Sequence, residues 1–143
     1  YHNFSTLFRR GSCILWICNG SDLAFDYEKS DEFGRSKGLN LIKGNVKKFN
    51  LSISDTVPHM TWSKIKKTKY GGKFFKFDNK NFYFVHSYYC NPEDKKNIIF
   101  KTKNGKISFC SAVKYKNIIG VQFHPEKSGK AGIDFLKHLN RFL

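Results

Sequence analysis

Cys13-Ile14-Leu15-Trp16-Ile17-Cys18 is an unbroken apolar run. A strand apolar at every position is buried on both faces, which predicts parallel pairing. Asn19-Gly20-Ser21-Asp22 breaks the run, and Leu23-Ala24-Phe25 predicts the opening of a helix. Between Phe33 and Asn50, short apolar pieces alternate with Gly34, Gly38 and Gly44, a pattern of loop and strand. The strongest strand signal runs from Asn81 to Cys90 and stops at Asn91-Pro92. Asn97 to Thr102 and Lys106 to Lys114 flank a turn at Asn104-Gly105 and predict a hairpin. Asn117 to Phe123 reads as a further apolar strand. Ser128 then caps a predicted helix from about Gly129 to Phe142, whose apolar face is Ala131, Phe135, Leu136 and Leu139. The order of strand, helix, several strands and a last helix predicts an α/β domain with antiparallel additions.

The chain has 143 residues, enough for one domain or part of one, and shows no repeat and no linker. It starts at Tyr1 without Met, so a start within a longer gene is expected. Its 26 Lys+Arg against 11 Asp+Glu give a formal charge of +15. Only Arg9, Arg10, Arg35 and Arg141 are arginines, and the lysines are scattered from Lys29 to Lys137. A nucleic-acid groove gathers its cations and favours Arg, so no nucleic-acid partner is expected. The tightest cluster, Lys64 to Lys69, reads as a solvated loop or a face toward a protein. No apolar run approaches the roughly 20 residues that cross a bilayer, so no membrane role is expected either. The four cysteines Cys13, Cys18, Cys90 and Cys110 lack a disulfide-framework spacing, which points to a reduced, cytoplasmic setting. No motif calls for a metal or a cofactor.

Cys18 ends the buried run directly before a turn and a predicted helix. That is the setting of a nucleophile elbow, where the side chain stands free above the sheet. The helix N-terminus would lower the thiol pKa. A plain core cysteine is the competing reading for this feature alone. The second element is Gly120-Val121-Gln122-Phe123-His124-Pro125-Glu126. At a strand end, His124 and Glu126 project to one side. The carboxylate can then hold one imidazole nitrogen while the other takes a proton from a thiol. An isolated loop histidine beside an exposed glutamate is the alternative for the pair on its own. Cysteine elbow and His-x-Glu together change the balance, because a cysteine nucleophile needs both.

These residues also carry a family resemblance. Glu32-Phe33-Gly34, Lys37-Gly38-Leu39, Val57-Pro58-His59-Met60 with Trp62, Phe84 to Tyr89, and Gly120 to Gly132 occur in the order found in class I glutamine amidotransferases. Within that family the chain most resembles the glutaminase subunits of imidazole glycerol phosphate synthase, from about Leu7 onward. The resemblance implies a flavodoxin-like three-layer α/β sandwich with a mostly parallel sheet plus antiparallel strands. It implies that residues 1–143 are the C-terminal part of one such domain, lacking the first strand and the Gly-rich oxyanion loop. It implies hydrolysis of L-glutamine through a thioester on Cys18, with His124 as base and acid and Glu126 as its orienter. Asn19 would supply an oxyanion N–H, and Gly20, Asp22, His86, Ser87 and Tyr88 would line the glutamine. Ammonia would pass to a (β/α)8 cyclase/synthase subunit in a heterodimer of the histidine pathway. His59, Met60 and Trp62 would face that partner, although packing beneath a loop is the simpler role for Trp62.

The chain departs from the family pattern at the elbow. Trp16 replaces a small residue, Asn19 and Ser21 differ, and Asp22 replaces a glutamine. A carboxylate beside the thiol opposes thiolate formation. Thr61 stands where the family prefers Gly, and Ser63 where it prefers Asn. Two other roles therefore stay open at this level: a relative that keeps the partner surface without hydrolysing glutamine, and a paralogue feeding ammonia to surface-sugar synthesis.

Overall fold

The computed structural model describes residues 8–10, 13–17, 41–50, 52 and 56–142, the first two stretches by their strand pairing alone. Ten strands are described: β1 (Phe8–Arg10), β2 (Cys13–Ile17), β3 (Gly44–Lys48), β4 (His59–Lys64), β5 (Lys66–Lys67), β6 (Asn81–His86), β7 (Tyr88–Pro92), β8 (Ile98–Asn104), β9 (Ile107–Tyr115) and β10 (Ile118–Val121). A 3-10 turn at Pro125–Lys127 leads into helix α1 (Gly129–Phe142). The main sheet has the order β1-β2-β10-β9-β8-β5, and β3-β7 and β4-β6 form two further pairs.

The apolar run at Cys13 does pair in parallel, with β10, from Ile118 opposite Ile14 to Val121 opposite Ile17. The expectation of a mostly parallel sheet is nonetheless overturned. Every other described pairing is antiparallel. Connection length explains this. Gly105-Lys106 joins β8 to β9 and Lys116-Asn117 joins β9 to β10, and two-residue links return a chain only antiparallel. Within the run β8-β9-β10 no connection is long enough for a parallel crossover, whereas β2 and β10 lie far apart in the chain.

The hairpin forms as the pattern predicts, with one shift. Asn104 pairs with Ile107 as the last residue of β8, so the loop is Gly105-Lys106. Gly105 has φ 65°, a conformation that costs glycine little. The long aromatic strand is not continuous. It breaks at Ser87, so that β6 pairs with β4 while β7 pairs with β3.

On β6, Phe82, Phe84 and His86 are buried and alternate with half-buried Tyr83 and Val85. Phe82 and Phe84 join Val121 from the main sheet, Phe123 just beyond it, and Phe135 and Leu139 from α1 in one apolar core. Ala131 and Leu136 pack at its edge, so the predicted apolar face of α1 is the buried one. A second core lies against β9, which is buried on both faces. Phe109 and Ala112 enter the first cluster, while Cys110 and Val113 enter the second with Val46 and Cys90. Among the described residues no helix is long and apolar enough to cross a membrane.

Candidate active site

β10 ends at Val121, and Gln122 and Phe123 carry the chain on to His124, which precedes the 3-10 turn. The 3-10 turn, not strand alternation, brings His124 and Glu126 together. Pro125 at its first position fits, because its fixed φ suits the turn and it has no N–H to satisfy there. Nδ1 of His124 lies 2.6 Å from Oε1 of Glu126. A carboxylate only accepts, so Nδ1–H donates, and in the neutral ring Nε2 carries the lone pair. That Nε2 is buried and has no hydrogen-bond partner among the described residues.

The backbone of His124 is clamped to β6. Its N–H donates to the Tyr83 carbonyl at 2.9 Å. Ser128 Oγ–H donates to the His124 carbonyl at 2.5 Å and accepts from Tyr83 N–H at 3.0 Å. The Ser128 hydroxyl expected to cap α1 thus turns back to the site, while its carbonyl accepts from Gly132 N–H at 3.3 Å. Gly132 is required here, since a Cβ would lie 1.8 Å from the Pro125 carbonyl oxygen. Sequence reasoning missed the roles of Tyr83 and Gly132 in this clamp. Gly132 showed only as part of the last block and Tyr83 only as part of the aromatic strand run, and neither says anything of a hydrogen bond between segments 45 residues apart.

Cys18, Asn19, Gly20 and Asp22 lie outside the described residues. The described framework ends at Ile17, in register with Val121. Two neighbouring parallel strands therefore finish at the same edge, one leading directly to Cys18 in sequence and the other to His124. Ser87 is the bend between β6 and β7, with His86 buried before it and Tyr88 half-buried after it. Burial drives the His86 pKa down to about 3, opposed by its bond to the Tyr88 carbonyl and assisted by the charges of His59 and His124.

On β4 the three residues expected to face a partner separate. Met60 and Trp62 are 59% and 52% exposed, with Trp62 edge-on to Tyr83 at 6.0 Å. His59 is 2% exposed and turns inward to His86. Ser63, one of the departures from the family pattern, meets the far nitrogen of His59 at 3.1 Å. Among the described residues no three His, Cys, Asp or Glu side chains group as metal ligands.

The sequence is matched over residues 2–139 by the family model of class-I glutamine amidotransferases. The chain belongs to the class-I glutamine amidotransferase family. This amidotransferase chain is 38% identical to the imidazole glycerol phosphate synthase subunit HisH of Chlorobaculum tepidum, covering 93% of this chain and 65% of the relative. It is 44% identical to subunit HisH 2 of Methanococcus maripaludis, covering 87% and 60%, and 38% identical to HisH of Sulfolobus acidocaldarius, covering 98% and 68%. The amidotransferase chain thus spans between 60% and 68% of the length of these relatives. A solved glutamine amidotransferase from Thermotoga maritima superposes with a TM-score of 0.52 at 16% identity, over 90% of this chain and 47% of that one. That likeness shows the shared α/β fold alone.

Proposed function

We propose that the chain is the glutamine-hydrolysing part of an ammonia-supplying subunit of imidazole glycerol phosphate synthase, working with a (β/α)8 cyclase/synthase partner in histidine biosynthesis. The observation that carries this reading is the His124–Glu126 pair: the carboxylate holds Nδ1–H and leaves a buried Nε2 lone pair. It stands where β10 leaves its parallel neighbour β2, the strand that leads to Cys18. The relatives named HisH support the assignment to this synthase.

In the proposed reaction His124 Nε2 takes the Cys18 thiol proton, and the thiolate sulfur attacks the carboxamide carbon of L-glutamine. The carbonyl oxygen gains negative charge toward the Asn19 backbone N–H, a donor of the oxyanion-hole kind. Collapse expels ammonia, which takes its proton from His124, and leaves a γ-glutamyl thioester. Water, deprotonated by the same nitrogen, then attacks the thioester carbon. Glutamate leaves, and the proton returns to the thiol. Glu126 keeps the tautomer and stabilises the imidazolium at both proton transfers. His86-Ser87-Tyr88 holds the amino-acid end of the substrate, and Gly20 and Asp22 line its other side.

Glutamate release by the complex with the (β/α)8 subunit tests the reading. Cys18→Ala removes the nucleophile and should abolish release, and His124→Ala should lower it by roughly 10²- to 10⁴-fold, the worth of a positioned base. Unchanged turnover in either variant would remove the proposed triad. Trp16 and Asp22 favour a second reading, a subunit that keeps the partner surface and hydrolyses slowly. In that case Trp16→Gly with Asp22→Gln should raise turnover, and no gain would count against it.

A further inference from the structure

His59 and His86 are direct cross-strand partners in the β4–β6 pair, so their side chains share one face. The edges and faces of Phe49, Phe84 and Phe109 enclose both rings. Inside that apolar shell a chain of hydrogen bonds runs through four residues. Ser63 Oγ lies 3.1 Å from His59 Nε2, His59 Nδ1 lies 3.0 Å from His86 Nε2, and His86 Nδ1 lies 2.7 Å from the Tyr88 carbonyl oxygen.

The proton positions follow from one end. A carbonyl only accepts, so His86 Nδ1 must carry hydrogen. Burial keeps His86 neutral, so its Nε2 is an acceptor, and the proton between the rings belongs to His59 Nδ1. Neutral His59 then accepts at Nε2 from the Ser63 hydroxyl. Reversing the His86 tautomer would set a lone pair against the Tyr88 carbonyl.

The bond from His86 to Tyr88 closes the bend at Ser87, where the chain leaves the β4–β6 pair for the β3–β7 pair. The Ser87 carbonyl is itself taken by Phe49 N–H at 3.0 Å. We propose that His59 is a positioning residue: by donating to His86 Nε2 it keeps His86 in the Nδ1–H tautomer and so fixes the Ser87 bend for the amino-acid end of glutamine. This role rests on the reading of His86-Ser87-Tyr88 as the glutamine-holding stretch. It differs from the partner-facing role that the resemblance implied for His59. Ser63 completes the chain at its half-exposed end.

Imidazole 15N NMR of the complex with the (β/α)8 subunit tests the proton chain directly. Both His59 and His86 should appear as neutral Nδ1–H tautomers, and a His86 Nε2–H tautomer would overturn the proposal. His59→Leu removes the donor, while His59→Asn keeps an amide N–H in nearly the same place. In His59→Leu, His86 should lose its single tautomer and KM for glutamine should rise roughly tenfold, on the order of one buried hydrogen bond, with kcat nearly unchanged. His59→Asn should restore both. An unchanged His86 spectrum and KM in the leucine variant would sink the role. Absent glutamate release from the unsubstituted complex would instead strike the glutaminase reading, because the tautomers are read without turnover.

Discussion

At the scale of single residues, burial and hydrogen-bond direction decide the chemistry. His124 and His86 are both buried, yet they are set up for opposite tasks. His124 faces a carboxylate, which favours a ring that gains a proton during reaction. His86 faces a carbonyl and three phenyl rings, which hold it neutral. That difference has a consequence for stability. The folded pKa of His86, about 3, lies below the ordinary 6.5, so between those values the unfolded chain binds a proton that the folded one refuses. Stability from this group is complete above pH 6.5 and is lost as pH falls toward 3, with a slope approaching about 1.4 kcal/mol per pH unit. His59 and His138 are shifted down by burial and act in the same direction. Urea midpoints should therefore fall between pH 7 and pH 4.5, and the fall should be shallower in His86→Gln. Equal slopes in the two proteins would contradict the assignment.

At the scale of elements, the junction between the 3-10 turn and α1 fixes the site. Gly132 lets the first turn of α1 rest on the Pro125 carbonyl, which keeps Ser128 within reach of both Tyr83 and His124. Gly132→Ala should destabilise the fold by about 1–3 kcal/mol through overpacking, and thermal denaturation would measure it. A variant as stable as the parent would show that the junction relaxes freely. This clamp also marks the limit of what the sequence made legible. The His-Pro-Glu spacing was readable because its chemistry is local, three residues within one turn. The parallel pairing of the run at Cys13 was readable because an all-apolar strand predicts two covered faces. The antiparallel majority and the break at Ser87 were not, since Asn81 to Cys90 keeps a strand-like composition throughout. Which strand each half joins is decided by register with β4 and β3, a tertiary choice that composition does not carry. The inward turn of His59 was not legible for a related reason. It shares β4 with Met60 and Trp62, and only the face distinguishes them.

At the scale of the whole molecule, the site and the exposed pair Met60 and Trp62 share the β4–β6 unit. Trp62 packs on Tyr83, whose backbone holds His124, so an exposed patch and the proposed base are linked through one residue. Large aromatic side chains left in water are the usual anchors of an interface. Trp62→Ala should weaken binding of the (β/α)8 subunit by about 2 kcal/mol or more while leaving the melting temperature close to the parent value. Calorimetric titration showing undiminished affinity would place the interface elsewhere. The charge of +15, prominent in the composition, plays no part in the site, whose described members are imidazoles, a hydroxyl, backbone groups and one carboxylate.

The proposed triad makes Cys18 the nucleophile that His124 and Glu126 serve. The most direct measurement is mass spectrometric mapping after treatment of the (β/α)8 complex with a glutamine analogue that alkylates an activated thiol. A single adduct on Cys18, lost when glutamine is in excess and suppressed in His124→Ala, is the result predicted. Labelling of Cys90 or Cys110, both buried thiols in the second core, or no adduct at all, would contradict it.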